Sequence, residues 1–175
     1  QEYALHLGPV PFEEVKRFAT KYQDSPVGLR MSHAWLRAQA AEGDWKMILK
    51  HSAPGQFGEE FDCLYYRAKY ETGDVATAFR NAEKLWSVGY PQSSACDELF
   101  DAWKAKHPIT EHQALARMEK AYRNNKPQLA SYLERYVSPA RLAVVKEWRE
   151  VYNDPARVNK VDRYAGWGKA AAPLL

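Results

Sequence analysis

A chain of 175 residues, 46% of them hydrophobic and 27% charged, is long enough to bury one core, too short for two large domains and too apolar for disorder. Its 25 Lys and Arg are interleaved with 22 Asp and Glu, as in Glu119-Lys120 and Lys146-Glu147, so a net charge of +3 leaves no basic stripe and excludes nucleic acid as the expected partner. No apolar run approaches the ~20 residues of a membrane span, and Gln1-Glu2-Tyr3-Ala4 has neither a basic leader nor an apolar signal core, so the compartment stays open.

Pro11-Phe12-Glu13-Glu14-Val15 opens a first helix with proline and two acids in its first turn, and Phe12, Val15, Phe18, Ala19 and Tyr22 form its apolar stripe. Asp24-Ser25-Pro26 ends it. A second helix is predicted from about Leu29 to Ala41, rich in alanines that permit close helix approach, and a short third from Trp45 to Lys50, before a loop at Ser52-Ala53-Pro54-Gly55-Gln56. Glu59 to Glu71, with Phe61, Leu64, Tyr65 and Ala68 on one face, and Val75 to Val88, with Ala78, Phe79, Ala82, Leu85 and Trp86, read as partner helices. Gly89-Tyr90-Pro91 breaks the chain. Ser94 is expected to cap a helix carrying Cys96, Leu99, Phe100 and Trp103, which His107-Pro108 ends, and Thr110 one carrying Ala114, Leu115, Met118 and Tyr122. Leu129 to Val137 and Pro139 to Tyr152 follow. Beyond Asp154-Pro155 the pattern weakens, and Gly166-Trp167-Gly168-Lys169 reads as a tail or a helix cut short.

The connections carry the architecture. Ala41-Glu42-Gly43-Asp44-Trp45 and Glu71-Thr72-Gly73-Asp74-Val75 lie thirty residues apart, each between helical runs. Glycine accepts the left-handed conformation that closes a helix, and the following aspartate caps the next one. Asn124-Asn125-Lys126-Pro127 is a degenerate third copy, with Asn125 in the glycine position and Pro127 suited to a first helical turn. Five residues past each breaker stands a small or apolar residue, Ile48, Ala78 or Ala130, placed to pack the second helix on the first. No strand pattern competes. The expected fold is all-α, a right-handed superhelix (solenoid) of short antiparallel helix pairs, tetratricopeptide-like. Residues 1–175 are expected to form a single α-superhelical segment of about nine or ten helices. Because a solenoid needs a polar terminal helix and this chain stops on Pro173-Leu174-Leu175, a fragment of something longer is expected.

The chemical candidates are few. Glu13-Glu14, Glu59-Glu60 and Asp97-Glu98 are adjacent acids of the kind a glycosidase would use, but each pair falls in a first helical turn, where the helix dipole favours negative charge. His107 and His112 are five apart across a proline break, unlike the i, i+4 pair that puts two imidazoles on one face, so no metal is expected. Ser52 and Ser138 lack a nucleophile motif and no glycine-rich loop suits a phosphate, so no cofactor is expected either. The 6 Trp and 11 Tyr fit either of two roles, filling gaps between helices or stacking on sugars. The sugar-stacking candidates are Trp86, Tyr90 and Trp103, with Arg67, Lys69 and Lys84 as partners for carboxylates; helix packing and a solvated face are the alternatives. Cys63 and Cys96 lie two helices apart, and their spacing alone is compatible with a disulfide or with two buried thiols.

Cys63-Leu64-Tyr65-Tyr66-Arg67-Ala68-Lys69-Tyr70-Glu71-Thr72-Gly73, Ala82-Glu83-Lys84-Leu85-Trp86 and Ser94-Ala95-Cys96-Asp97-Glu98-Leu99-Phe100-Asp101-Ala102-Trp103, in this order and spacing, resemble the superhelical domain of the large soluble lytic transglycosylases of Gram-negative bacteria. The likeness is close over Glu42 to Trp103 and loose in the flanks. It implies a periplasmic protein of peptidoglycan turnover, a Cys63–Cys96 disulfide, glycan strands as a possible ligand and a catalytic domain of the same parent chain as partner. That family cleaves without water, using one glutamate as acid and then base. Its Glu-Ser and Gly-Leu-Met-Gln segments do not occur here, so no catalytic residue carries over and the chain is expected to be inert alone. A tetratricopeptide-like adaptor gripping a peptide or protein in a concave groove is the competing expectation.

Overall fold

The computed structural model describes residues 9–159, and Gly166-Trp167-Gly168-Lys169 lies outside them. Among the described residues every regular element is helical: α1 (Phe12–Lys21), α2 (Pro26–Glu42), α3 (Trp45–His51), α4 (Glu59–Glu71), α5 (Val75–Trp86), α6 (Asp97–Lys106), α7 (Glu111–Arg123), α8 (Pro127–Leu133) and α9 (Leu142–Asn153), with short 3-10 turns ahead of α6, between α8 and α9 and after α9. The all-α class expected from the sequence holds. The chain divides into two compact units, one running to Trp86 and resuming over Gln92–Lys106, the other comprising Ser87–Pro91 and the chain from His107 onward.

The three breakers adopt one geometry. Gly43 (φ 74°), Gly73 (φ 97°) and Asn125 (φ 57°) are all left-handed, and Asn125 is the sole such non-glycine among the described residues. At each, the breaker's N–H donates three residues back, to Ala40, Tyr70 or Tyr122, and the next N–H donates five back, to Gln39, Lys69 or Ala121, at 2.8–3.2 Å. Asp44 Oδ1 then accepts from Met47 N–H and Asp74 Oδ1 from Thr77 N–H, both at 3.3 Å. Lys126 offers no acceptor, and Pro127 at the first helical position has no N–H to satisfy. Ile48, Ala78 and Ala130 are buried, as the repeat requires.

Some boundaries differ from the sequence pattern. α2 begins at Pro26, because Ser25 Oγ accepts from Val27 N–H at 3.3 Å and a proline loses nothing at a first turn. The buried Gly28 then leaves no room for a Cβ, which would meet Ala19 O at 2.7 Å. α5 stops at Trp86, and the carbonyls of Ser87 and Val88 accept instead from Lys120 Nζ (2.9 Å) and Arg117 Nε (3.0 Å). α8 ends at Leu133 in a 3-10 turn over Glu134–Tyr136, and the proline at 139 starts another such turn before α9.

In the first unit Val15, Trp35, Leu36, Ile48, Phe61, Leu64 and Ala68 form a core drawn from α1 to α4. Trp35 Nε1 donates to Val10 O at 2.9 Å, which satisfies its buried polar handle. In the second unit Met118, Leu133, Val145 and Trp148 are buried, and the buried Glu147 accepts two hydrogen bonds from Arg157, each 3.2 Å.

His33 on α2 lies against the rings of Phe57 (5.8 Å) and Phe61 (4.3 Å), and its Nε2 is buried with no partner among the described residues. Burial first, and the nearby Arg37 second, hold its pKa below the ordinary 6.5, with Glu60 opposing. Because the unfolded chain then takes up the proton first, stability contributed here is complete above about pH 6.5 and is lost as pH falls through the folded value. Glu60, held below its ordinary 4.5 by the hydrogen bonds from Arg37 (2.6 and 2.8 Å), adds a second loss at lower pH. His33→Phe is expected to remove the loss that sets in below about pH 6.5 and leave the one at lower pH, as read from urea midpoints across pH. Equal acid sensitivity of variant and parent would refute the assignment.

Candidate functional site

The segments that carry the family resemblance form one module of the first unit. Glu59, Glu60 and Asp62 stand in the first turn of α4, where the free N–H groups favour acids, and the helix carries Cys63, Leu64 and Ala68 inward. Cys96 sits in a 3-10 turn (Ser94–Cys96) directly ahead of α6. The cap of that turn is Ser93 rather than Ser94: Ser93 Oγ accepts from Ala95 N–H at 3.3 Å. Cys63 and Cys96 are joined by a disulfide, S–S 1.97 Å and Cα–Cα 4.9 Å, with both residues fully buried.

Around this bridge the sugar-stacking candidates separate. Trp86 (4% exposed) and Trp103 (3%) pack on each other with ring centroids 5.9 Å apart, so neither offers a face to a ligand. Each places its ring in the interior formed by α5 and α6, the packing alternative that their sequence context offered. Arg67 pairs with Glu71 (3.5 Å) and with Glu98, and its guanidinium lies 4.5 Å from the Trp45 ring centroid, which ties α4 to α3 and α6. Lys69 pairs with Asp74 at 3.4 Å and lies 5.9 Å from the Tyr65 ring. Lys84 is exposed on α5, with no ion pair among the described residues. Tyr90, 41% exposed, belongs to the second unit, where its carbonyl accepts from Arg117 Nη2 at 3.4 Å.

The acid pairs stand in first helical turns, as their sequence context predicts. A glycosidic acid catalyst needs a carboxyl held protonated. Three carboxyls are held the other way, below their ordinary values: Glu60 by Arg37, Asp74 chiefly by the Thr77 hydrogen bond, and Glu111 chiefly by Ser138. Ser138 donates both its N–H (2.7 Å) and its hydroxyl (2.6 Å) to Glu111 Oε1, and Ser52 Oγ donates to Ile48 O at 2.7 Å, so both hydroxyl protons are engaged. Among the described residues no group of three or more His, Cys, Asp or Glu is placed to hold a metal ion, and no helix is long and apolar enough to cross a membrane.

Two features were missed from sequence. Arg117 is 5% exposed, and its guanidinium braces the Ser87–Pro91 loop through Val88 O and Tyr90 O; burial lowers its pKa to about 10, which leaves it charged at neutral pH. The one sequence signal was a basic residue at i and i+3 from apolar neighbours, on the buried stripe of α7. The second is a recess of about 660 Å³ in the first unit, lined by α1, α2, the end of α3 and the segment after it, to which none of the six candidate glycan contacts contributes.

No protein-family model matches the chain. It is 26% identical over 148 residues to the soluble lytic murein transglycosylase of Salmonella typhimurium, covering 85% of this chain and 23% of that protein. It is 32% identical over 95 residues to the protein of the same name from Escherichia coli K12, covering 54% and 15%. An inactive mutant of the lytic transglycosylase Slt from Pseudomonas aeruginosa superposes with a TM-score of 0.80 at 31% identity, over 96% of this chain and 27% of that one. The 70 kDa soluble lytic transglycosylase of Escherichia coli shares the fold, with a TM-score of 0.70 at 24% identity. The chain thus spans about a quarter or less of the length of these relatives. In sequence and in helical fold, it is similar to one segment of the soluble lytic transglycosylases.

Proposed function

We propose that this chain is a non-catalytic α-superhelical segment of a soluble lytic murein transglycosylase, acting in peptidoglycan turnover as a scaffold that engages the cell wall. The observation that carries the reading is the match to the Pseudomonas aeruginosa enzyme along nearly the whole of this chain but 27% of that one. Cleavage then belongs to a catalytic domain elsewhere in the same parent chain. The absence from this sequence of the family's Glu-Ser and Gly-Leu-Met-Gln segments supports that division of labour. A periplasmic location suits the buried Cys63–Cys96 bridge, since disulfides persist in oxidising compartments. Residues 1–175 act as one superhelical segment of that parent. Among the candidate glycan contacts the exposed Tyr90 and Lys84 remain suited to the role, whereas Arg67 and Lys69 are engaged in ion pairs within their own unit.

The test is co-sedimentation of the purified chain with peptidoglycan sacculi, with the soluble fraction scanned by mass spectrometry for 1,6-anhydro products. Binding without product is the expected result. Anhydro product would overturn the non-catalytic assignment, and a chain that stays in solution would overturn the cell-wall contact.

A further inference from the structure

The recess in the first unit is bounded by α1, by Ser32 of α2 and by the end of α3 with the segment that follows it, and its volume of about 660 Å³ lies within the roughly 300–1,000 Å³ of small-molecule sites. Phe12 stacks on His51 with centroids 3.9 Å apart, and Trp35 meets the same imidazole edge-on at 5.6 Å, so an aromatic floor holds His51 in place. Lys16 from α1 and Lys50 from α3 both line the recess, both are exposed, and neither forms an ion pair among the described residues. Their charges converge on one place. After burial, Lys50 and Lys16 both act on the His51 imidazole to lower its pKa, with Glu13 opposing them. Two ammonium groups against the single acid Glu13 among the lining residues leave the recess net positive, a charge that a bound anion would offset.

The other lining groups limit what that anion is. The hydroxyls of Ser32 and Ser52 donate to Gly28 O and Ile48 O, so they face a ligand with lone pairs. Gln56 Oε1 accepts from Ala53 N–H at 3.1 Å, which leaves its amide N–H groups as donors, and Thr20 and Gln23 add further polar contacts. No arginine fork is present, and Glu13 on the same wall repels a dianion, so a phosphate suits the recess poorly and a single carboxylate on a polar body suits it well.

We propose that this recess binds a carboxylate-bearing glycopeptide, its carboxylate between Lys16 and Lys50 and its neutral polar body along Thr20, Gln23 and Gln56. The proposal rests on the cell-wall reading above for the identity of the ligand, and on the lysines and polar wall for its chemistry.

The whole chain is titrated by NMR, following the His51 imidazole, with N-acetylmuramyl-L-alanyl-D-isoglutamine, the free dipeptide L-alanyl-D-isoglutamine and the neutral di-N-acetylchitobiose as probes. The muramyl dipeptide is expected to give saturable shifts, to raise the His51 pKa as negative charge enters the recess, and to weaken with added salt. Lys16→Ala and Lys50→Ala, both at exposed positions, are each expected to weaken it about two- to fivefold. Absence of saturable shifts, or binding of the neutral disaccharide as tight as that of the glycopeptide and indifferent to both lysines, would overturn the proposal. Equal affinity for the free dipeptide would overturn the glycopeptide and leave a peptide carboxylate site. Sacculus co-sedimentation separates the two readings. Sedimentation that persists while the titration fails sinks the recess alone, and a working recess in a chain that ignores sacculi sinks the cell-wall reading instead.

Discussion

Replacing Cys63 and Cys96 together by alanine is expected to lower the stability of the chain by about 3–4 kcal/mol. The bridge spans 33 residues, for which the loop-entropy account gives about 4 kcal/mol of constraint on the unfolded chain. It links α4 to the turn ahead of α6, so its loss releases the whole excursion through α5. The matching change in unfolding midpoint is roughly 6–16 °C for a protein of this size, to be read by calorimetry in non-reducing buffer. Because both sulfurs are fully buried, a thiol reductant under native conditions is expected to act no faster than the surrounding helices open. A double variant within about 1 kcal/mol of the parent would show that the denatured chain is already confined without the bridge.

Trp103→Ala is the second large effect, an expected loss of about 3–5 kcal/mol. The ring is 3% exposed and faces Trp86 at a centroid distance of 5.9 Å and a tilt of 55°, a geometry that adds about 0.5–1.5 kcal/mol to area burial alone. Trp103→Phe keeps part of the packing and is expected to lose roughly half as much. Urea denaturation reads the stability, and sacculus binding measured well below the midpoint reads the alternative role. A variant of near-parent stability that no longer sediments with sacculi would return Trp103 to the list of ligand contacts; full binding with a large stability loss is expected.

These two variants also mark where the sequence stops being sufficient. Helix starts and stops were legible because their causes lie within five residues. Gly43, Gly73 and Asn125 each close a helix through hydrogen bonds three and five positions back, and Thr110 caps α7 in a reciprocal box with Gln113. The inward positions at Ile48, Ala78 and Ala130 follow from the same local period. Even here the choice between adjacent serines failed: Ser93 and Ser94 have identical chemistry, and only the backbone path decides which hydroxyl faces Ala95 N–H.

Whether an aromatic ring is covered depends on neighbours far along the chain, which a helical period does not name. Trp86 and Trp103, seventeen positions apart, were packing residues first and candidate sugar platforms second on sequence grounds, and the approach of α5 to α6 buries both rings. Arg67, a carboxylate partner or a solvated cation on sequence grounds, is taken up by Glu98 and the Trp45 face from two other helices. The convergence of Lys16 with Lys50 across 34 positions carries no local signature either, since each lysine by itself is an ordinary exposed residue on an ordinary helix. By itself, then, the sequence determined the all-α class, the hairpin breaks and the inward stripe, because short-range hydrogen bonding and side-chain period set them. The tertiary structure decided which rings are buried, which cations are neutralised and which are left to face a recess together, because those depend on burial and Coulomb energy between groups that only the packing of helices brings within reach.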